Sequence, residues 1–302
     1  MMHKITVIGS ISTDFVATTA IRPEMGETVE GENFERSFGG KGANQAVAIG
    51  RLGGHVEMIG AVGDDPFGKE LLCNLRANHV LNENVERVTG YPSGAAIITL
   101  HKNDNAIIYV AGANNQMPHL KTDTVLDAIK QSDLVIIQNE MPQSQIDQII
   151  DYCQVNAVKV LYNPAPARKL DRQLIEKITY LTPNEKEFQD IFPELAISEG
   201  LEKYPNKLFI TLGSKGVIYH DGDKEVLVPA YKVSPVDTTG AGDTFNGAFG
   251  LALTKGLSIE QSVKFGNLAA ALSIQKFGAQ GGMPTMEEMK GSAWYEEKWD
   301  FE

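Results

Sequence analysis

Cysteine is scarce in this chain of 302 residues: only Cys73 and Cys153 occur, and they do not form a CxxC pair. We therefore expect two free thiols in a reducing compartment, with no thiolate metal site or redox motif. No stretch approaches the roughly 20 apolar residues of a membrane-spanning helix. The apolar part of the start, MMHKITVIGS, is too short for a signal peptide. These absences predict a cytoplasmic protein that does not associate with membranes.

Positive charge is also scarce, with 27 Lys and Arg against 39 Asp and Glu, a net charge of -12 and no basic run. Nucleic-acid phosphates repel such a surface unless a basic patch overrides it, so we expect no nucleic-acid partner. The 6 histidines are scattered, without HxxxH spacing or a Cys/His cluster. They do not predict a histidine-based metal site.

Short apolar runs rich in β-branched residues alternate with helix-like segments along the chain. We predict strands at residues 4–9, 56–60, 134–138, 158–162, 179–182, 208–212, 217–220 and 225–229. We predict helices near residues 43–52, 66–78, 143–155 and 184–191, then two helices rich in small residues in the C-terminal third. This alternation predicts an α/β fold with a mainly parallel sheet covered by helices on both faces. No linker divides the chain, so we expect one domain over residues 1–302.

Two segments break this alternation, about residues 15–38 and 94–111. The first contains Pro23, Gly26 and Gly31 and no convincing helix, and the second resembles a β-hairpin with a polar KNDN turn. We interpret both as strands of a small separate sheet that covers a substrate as a lid. The alternative is surface decoration without a role in binding. A lid of this kind exposes an apolar face and free edges, which predicts a homodimer through the lid.

The segment DTTGAGDTFNGAF, residues 237–249, places Gly240 and Gly242 before a helix of small residues. Glycines there let a ligand approach the backbone, and the unpaired N–H groups with the helix dipole favour an anion. Asp243 would compete with a phosphate unless its task is to accept a proton from an attacking hydroxyl while the N–H groups hold the transferring phosphoryl. The alternative is an ordinary capping Asp.

A second glycine-rich segment, SFGGKGANQAVAIGRLGG, spans residues 37–54. It is not a P-loop, because Lys41 is followed by Gly42 and not by Ser or Thr, and the dinucleotide fingerprint is missing after the first strand. We therefore expect the nucleotide to bind elsewhere. The loop offers backbone amides to a small polar ligand, with Lys41 and Asn44 as side-chain donors. The alternative is a structural glycine turn.

Carboxylates and amides follow several of the predicted strands. Asp14 follows the first strand and its turn, and Glu140 follows the strand at 134–138, where open α/β sheets bind ligands. Asn184 and Glu187 are three apart, so they share a helix face and could hold magnesium-bound waters. The loop in ITLGSKG, residues 210–216, could follow the phosphates of a nucleotide. Each of these could instead be an ordinary turn or cap.

The two glycine-rich segments together resemble a known family. In GGKGANQAVAIGRLG and DTTGAGDTFNGAF the chain is similar to the ribokinase branch of the ribokinase-like (PfkB) sugar kinases, and the similarity extends over almost the whole length. The resemblance implies a doubly wound central sheet with a β-sheet lid. It also implies in-line transfer of the ATP γ-phosphoryl group, a magnesium ion, and activation by a monovalent cation, for which we expect potassium.

The resemblance also implies roles for individual residues. The catalytic base is Asp243, and the anion hole is formed by Gly240, Ala241 and Gly242. The sugar-binding positions are Ser12, Thr13, Asp14, Gly40, Lys41, Gly42, Ala43, Asn44, Glu140 and Asp243. The nucleotide-binding positions are Asn184, Thr211, Leu212, Gly213, Ser214, Lys215, Gly216, Gly242, Asp243 and Asn267. The potassium-loop positions are Asp237, Thr239, Ser273, Lys276, Gly278 and Gly282, most of them through backbone carbonyls.

The reaction expected from this resemblance is the phosphorylation of the 5-hydroxyl of D-ribose by ATP, giving D-ribose 5-phosphate and ADP. Within the family, the Lys41 loop is more like that of ribokinases than of fructokinases, adenosine kinases or ketodeoxygluconate kinases. Two alternatives remain: a kinase for another pentose such as deoxyribose, and a sugar-sensing relative that has lost catalysis. Between NEKEF and LFITLG the chain is shorter than many relatives, so we expect one truncated helix there.

Overall fold

The computed structural model describes residues 3–101, 104–117 and 122–300. In chain order its strands are β1 (Lys4–Ile8), β2 (Ser12–Thr18), β3 (Asn33–Gly39), β4 (His55–Gly63), β5 (Val80–Leu81), β6 (Val85–Val88), β7 (Gly94–His101), β8 (Asp104–Val110), β9 (Leu134–Gln138), β10 (Lys159–Asn163), β11 (Tyr180–Leu181), β12 (Phe209–Thr211), β13 (Val217–His220) and β14 (Glu225–Val228). Its helices are α1 (Lys41–Arg51), α2 (Pro66–Ala77), α3 (Asp123–Lys130), α4 (Gln143–Val155), α5 (Arg172–Lys177), α6 (Glu185–Ile191), α7 (Ile197–Lys203), α8 (Ala241–Thr254), α9 (Ile259–Ser273) and α10 (Met286–Lys290).

The central sheet is parallel, in the order β11-β10-β9-β1-β4-β5, with β6 also paired to β4. Its strands are continuous apolar runs because both of their faces are covered by helices. In β9, for example, Leu134 and Ile136 enter one hydrophobic core, whereas Val135 and Ile137 enter the other. The predicted α/β class with helices on both faces is confirmed.

The lid is a separate sheet of four strands in the order β3-β2-β7-β8. Its strands β2 and β7 are parallel, while β3 and β8 pair antiparallel at the two edges. The two segments that break the helix–strand alternation thus form one sheet, as predicted. Residues 102 and 103 of the expected KNDN turn lie outside the described residues.

A third sheet, β12-β13-β14, is antiparallel, and single bridges from Leu181 to Leu208 and from Asn184 to Thr211 join it to the edge at β11. In the chain, α7 lies between β11 and β12 and has only 7 residues. This is the region where we expected a shortened helix. Within the described ranges, no helix combines the length and apolar character needed to cross a membrane.

Candidate active site

The sugar-side loop begins α1 with a glycine turn that packs against β1. Gly40 has a φ of 88°, and a Cβ there would lie 2.7 Å from the Ser10 carbonyl oxygen. No side chain of the loop itself caps the helix. Glu140, in the loop after β9, takes the place of such a cap. Its carboxylate accepts hydrogen bonds from the Lys41 backbone N–H (3.0 Å) and from the Ser10 hydroxyl. A carboxylate at a helix N-terminus is stabilised by the helix dipole.

Asp14 lies within β2, although we expected it after the turn that ends the first strand. Only three residues separate the end of β1 at Ile8 from the start of β2 at Ser12, so the chain passes directly into the lid without the expected turn. Burial is the main reason why the pKa of Asp14 is raised to about 6. The hydrogen bond from Ser12 and the charge of Lys41 oppose this rise, and the carboxylates of Glu140 and Asp243 add to it. Ser12 and Thr13 are buried beside it.

The register of the lid places a tyrosine that sequence reasoning missed on the same sheet face as Asp14. Asp14 pairs with Ala96, and Ala96 pairs with Tyr109, so the three side chains point to one face of the lid. The Tyr109 hydroxyl is 3.4 Å from the side-chain amide of Asn114. This placement follows from hairpin register, which the sequence alone did not fix.

Asp243 lies in the first turn of α8 and is 94% buried, with 6% of its surface exposed. Its two carboxylate oxygens accept hydrogen bonds from Asn44 (2.9 Å) and from Gln45 (3.0 Å), both on α1. Asn44 was predicted, but Gln45 was not. Each carboxylate oxygen can accept a further hydrogen bond, so Asp243 remains able to receive a proton from a ligand hydroxyl.

Lys41 is the cation of this acidic centre. The charge of Asp243 raises the pKa of Lys41, burial opposes that effect, and three further carboxylates reinforce it: Glu140, Glu187 and Asp14. The ammonium group is therefore held in its charged form, available to a ligand oxygen. The predicted residues Gly42 and Ala43 are buried in the same turn, where a Cβ at Gly42 would lie 2.7 Å from backbone atoms of Gly9.

The N-terminus of α8 is open toward a cavity. Gly240 has a φ of 79° and no side chain caps the helix, while a Cβ built on Gly242 would have no atom within 4 Å. Ala241 and Gly242 both line the cavity. The backbone N–H of Ala241 donates to the Thr238 carbonyl at 3.2 Å. The positive end of the helix and the open space in front of Gly242 together favour an anion at this turn.

That cavity, of about 580 Å³, lies between the loop after β12 and the helices α8 and α9. Of the predicted nucleotide-binding residues, those that line it are Thr211, Gly213, Ser214, Gly216, Gly242 and Asn267. Leu212 and Lys215 belong to the same loop but do not line the cavity. Sequence reasoning missed its apolar walls, which are formed by Tyr231, Val233, Phe245, Ala270, Ala271 and Ile274. Apolar walls with a few polar groups are typical of sites for ligands with aromatic rings.

Asn267 contributes to this cavity through the backbone opposite. Its side-chain amide donates to the carbonyls of Val228 (3.1 Å) and Pro229 (3.2 Å). These two hydrogen bonds hold the segment that continues into the cavity wall at Ala230 and Tyr231.

Asn184 and Glu187 form a reciprocal capping box at the start of α6, at 2.8 Å in both directions. Burial raises the pKa of Glu187, against the hydrogen bond from Asn184 and the charge of Lys41.

The two loops expected to hold potassium are joined by Asp237. Its carboxylate accepts from the backbone N–H groups of Thr239 and Gly278, both at 2.9 Å. Burial pushes the pKa of Asp237 upward, but the hydrogen bonds from Thr239 and Gly278 outweigh it and the pKa lies below its ordinary value. A carboxylate that stays ionised between two loops fits a large cation. Across the described part of the chain, no group of three or more His, Cys, Asp or Glu is arranged to hold a metal.

The other predicted members of the potassium loops have different surroundings. The Lys276 ammonium group is paired with the carboxylate of Glu288 at 2.7 Å. The Ser273 hydroxyl donates to the Ala270 carbonyl at 2.9 Å, and Gly282 packs so closely on the Ser273 carbonyl that a Cβ would collide with it. The ammonium group of Lys276 repels a cation, so this residue could contact one only through its backbone carbonyl, and Gly282 has no side chain to offer.

A second cavity, of about 930 Å³, lies between the lid and the 235–239 and 277–279 loops, and Asp14 lines it. Pro235 and Thr238 line both cavities, so the two adjoin. One cavity thus carries a carboxylate suited to hydroxyl groups, the other an anion site, and Asp243 lies in the chain directly after Gly242. A ligand with hydroxyl groups in the first cavity and a phosphorylated ligand in the second would therefore meet beside the buried carboxylate of Asp243.

A family model for pfkB family carbohydrate kinases matches residues 2–286. The chain belongs to this family.

Relatives of this pfkB carbohydrate kinase are similar over nearly its whole length. It is 51% identical over 289 residues to a ribokinase of Bacillus subtilis, covering 96% of this chain and 99% of the relative. It is 53% identical over 290 residues to a ribokinase of Lactococcus lactis, covering 96% of each. The solved structure of Arabidopsis thaliana ribokinase complexed with ribose and ATP has a TM-score of 0.87 at 28% identity, covering 95% of this chain and 97% of that chain.

Proposed function

We propose that this pfkB-family kinase transfers the γ-phosphoryl group of ATP to the 5-hydroxyl of D-ribose, giving D-ribose 5-phosphate and ADP. The observation that carries the proposal is the position of Asp243, held by Asn44 and Gln45 of the sugar-side helix at the open N-terminus of α8. Support for ribose as the sugar comes from the two relatives more than 50% identical, which are named ribokinases.

In the proposed mechanism, ribose lies under the lid. Asp14 accepts hydrogen bonds from its ring hydroxyls, while Lys41 and Asn44 donate to it. Asp243 receives the proton of the 5-hydroxyl as that oxygen attacks, a role worth roughly 10²–10⁴ in rate. The backbone N–H groups of Gly240, Ala241 and Gly242 stabilise the charge on the transferring phosphoryl, each donor contributing roughly 10²–10³.

ATP in this proposal occupies the cavity of about 580 Å³, with the adenine against the apolar walls and the phosphates toward α8. Magnesium bound with ATP would offset the phosphate charge, and Asn184 and Glu187 would hold it through water. Potassium would bind between the two loops joined by Asp237, through that carboxylate and backbone carbonyls.

The experiment that tests the sugar is a panel of pentoses, hexoses and nucleosides assayed for ADP release with ATP and magnesium. We expect ribose to give the highest kcat/KM, with the phosphate on the 5-oxygen by NMR of the product. A higher kcat/KM for 2-deoxyribose than for ribose would favour the alternative that the protein is a deoxyribose kinase. Ribose binding without ADP release would favour a sugar sensor and contradict the kinase proposal.

We also infer that the chain forms one domain and acts in the cytoplasm as a homodimer through the lid. Apolar side chains are exposed on the lid face opposite Asp14, where they would need cover in water: Phe34, Ile97, Ile108 and Val110. A second lid would supply that cover. Light scattering that reports a monomer at micromolar concentration would contradict the dimer.

A further inference from the structure

A continuous chain of side-chain hydrogen bonds runs from the last residue of α1, through α2 and the loop that carries Gln280, to the carboxylate of Asp243. Its members, in order, are Arg51, Asn78, Asn74, Gln280, Asn44 and Asp243. The donor–acceptor distances along it are 2.7, 3.1, 2.8, 2.9 and 2.9 Å. All five links are therefore within ordinary hydrogen-bond range.

The chain has a fixed direction. A guanidinium group can only donate hydrogen bonds and a carboxylate can only accept them. With Arg51 at one end and Asp243 at the other, each amide between them must turn its oxygen toward Arg51 and its nitrogen toward Asp243. Neither end can be reversed, so no amide in the middle can turn around without breaking two bonds.

Burial makes this arrangement costly to disturb. Asn44 and Gln280 are each 5% exposed, so a donor or acceptor that lost its partner there would have no water to replace it. Hydrogen bonds in series also polarise one another in a low-dielectric interior. Arg51 additionally donates to the backbone carbonyls of Gln280 (2.5 Å) and Met283 (2.9 Å), which fixes the loop that carries Gln280.

The other carboxylate oxygen of Asp243 is held by a shorter series. Gln138 donates to the Gln45 side-chain oxygen at 2.7 Å, and the Gln45 amide donates to Asp243 at 3.0 Å and to Asn163 at 3.1 Å. The base thus has one amide on each oxygen, and the lone pairs that remain define where an attacking hydroxyl must approach.

We propose that Gln280 is a positioning residue for the phosphoryl transfer, and this inference rests on the proposed function. The Gln280 side-chain N–H donates to the side-chain oxygen of Asn44, which obliges the Asn44 NH2 group to face Asp243. It acts on the reaction through Asn44 and Asp243. The sequence segment GAQGG thereby gains a role that a glycine turn alone does not explain.

The decisive variant is Gln280→Glu, which keeps the shape of the side chain and replaces its donor with an oxygen. The introduced carboxylate would require a donor from Asn44, whose amide would then turn its oxygen toward Asp243. We expect kcat at pH 8 to fall about 10- to 100-fold, the range for a lost hydrogen bond to a charged group. The KM for ATP should stay within twofold of wild type, since the nucleotide cavity is not lined by this chain.

The pH profile separates positioning from packing. A protonated carboxyl group can donate to Asn44 while its other oxygen accepts from Asn74, so the introduced group restores the chain when protonated. The loss in Gln280→Glu relative to wild type should therefore shrink as the pH falls from 8 toward 6. Gln280→Met breaks the chain without reversing it, and its smaller loss should be the same at every pH.

Gln261→Glu is the matched control. Among the described residues, the side chain of Gln261 bonds through its oxygen, which accepts from Trp299 at 2.9 Å. The same substitution therefore keeps that bond and adds the same negative charge. We expect wild-type kinetics. If Gln280→Glu stays within threefold of wild-type kcat at pH 8, or loses the same factor as Gln280→Met at every pH, the positioning role is wrong. If the wild-type protein phosphorylates no sugar, it is the proposed function that fails.

Discussion

The two glycine-led helices α1 and α8 look alike in sequence and differ in what surrounds their first turns. Both follow a glycine with positive φ, Gly40 at 88° and Gly240 at 79°, and neither has a side-chain cap from its own loop. The first turn of α1 is closed: Gly42 packs on the backbone of Gly9, and Glu140 occupies the helix end. The first turn of α8 is open at Gly242, which faces a cavity.

The difference teaches that a glycine-rich loop can serve packing or ligand approach, and that the pattern of letters does not distinguish them. At α1 the glycines let two backbones approach, and the helix delivers Asn44 and Gln45. At α8 the glycine leaves open space at the cavity, where we propose that the phosphoryl group lies, and the helix delivers Asp243. We therefore expect substitutions in α1 and α8 to have different effects, since α1 positions the Asp243 carboxylate and α8 carries it.

The largest effect is expected at the reacting helix. Asp243→Asn keeps the shape of the side chain and removes its basicity, so kcat should fall by roughly 10²–10⁴. The KM values for ribose and ATP should change little, and steady-state kinetics will measure all three constants. A kcat within threefold of wild type would remove Asp243 as the base.

The sugar side should respond in KM. Asp14→Ala removes a charged acceptor from sugar hydroxyls, and a hydrogen bond to a charged group contributes roughly 1.5–3 kcal/mol, or about 10- to 150-fold. We expect the KM for ribose to rise by that factor and the KM for ATP to stay nearly unchanged. An unchanged ribose KM would reduce Asp14 to a residue of strand β2 without a role in binding.

Two glycine substitutions compare the helix ends directly. Gly42→Ala places a methyl group against the Gly9 backbone and should destabilise the fold by about 1–3 kcal/mol, seen as a lower Tm. Gly242→Ala meets no protein atom, so Tm should stay the same while kcat falls about tenfold as the methyl group occupies the phosphoryl position. The opposite pattern, a stable Gly42→Ala and an unstable Gly242→Ala, would contradict the division.

A pH effect is expected from Asp14, whose pKa is raised to about 6. The ionised form that accepts sugar hydroxyls is lost as the pH falls through 6, so ribose kcat/KM should fall about tenfold from pH 7 to pH 5. Because burial disfavours the charge, the ionised group opposes folding above pH 6. Asp14→Asn should therefore raise Tm at pH 8 but not at pH 4, which thermal unfolding at the two pH values will check.

The smallest effect is expected from the loops that lead into α8. Potassium should raise kcat several-fold with little change in the KM for ATP, because it would fix the backbone before Gly240 without touching substrate. The measurement is a potassium titration after dialysis into a tetramethylammonium buffer. Asp237→Ala should abolish the response, and equal activity with and without potassium would remove the cation site from the proposal.

Sequence patterns were sufficient where function depends on a local segment. The bounds of β9 and α4 match the predicted 134–138 and 143–155, because buried parallel strands and amphipathic helices have strong local signals. Asp243 and Asn44 were each predicted as site residues from segments that carry a family pattern, but the hydrogen bond between them was not predicted. Asp14 was misplaced because a three-residue passage from β1 into the lid resembles a turn.

Contacts between residues far apart in the chain could not be predicted from the sequence. Gln45 contacts Asp243 across 198 positions, and Gln280 contacts Asn44 across 236. The residues around an amide side chain in the sequence do not indicate such a partner. Its role depends on which of its atoms, oxygen or nitrogen, faces a residue that only the folded chain brings near. The apolar wall of the nucleotide cavity was missed for the same reason: Ala270 and Ala271 belong to a helix that looks like ordinary packing.

The directional chain from Arg51 to Asp243 has a chemical consequence for the lifetime of the protein. Its four central side chains are all carboxamides, and Asn and Gln are among the residues least resistant to heat. Hydrolysis of any of these amides consumes water, releases ammonia and leaves a carboxylate, so an acceptor replaces a donor at a point where direction matters. On prolonged warming, activity should therefore decay before the fold does, and the aged protein would be a correctly folded kinase in which the hydrogen bonds that orient its base are broken.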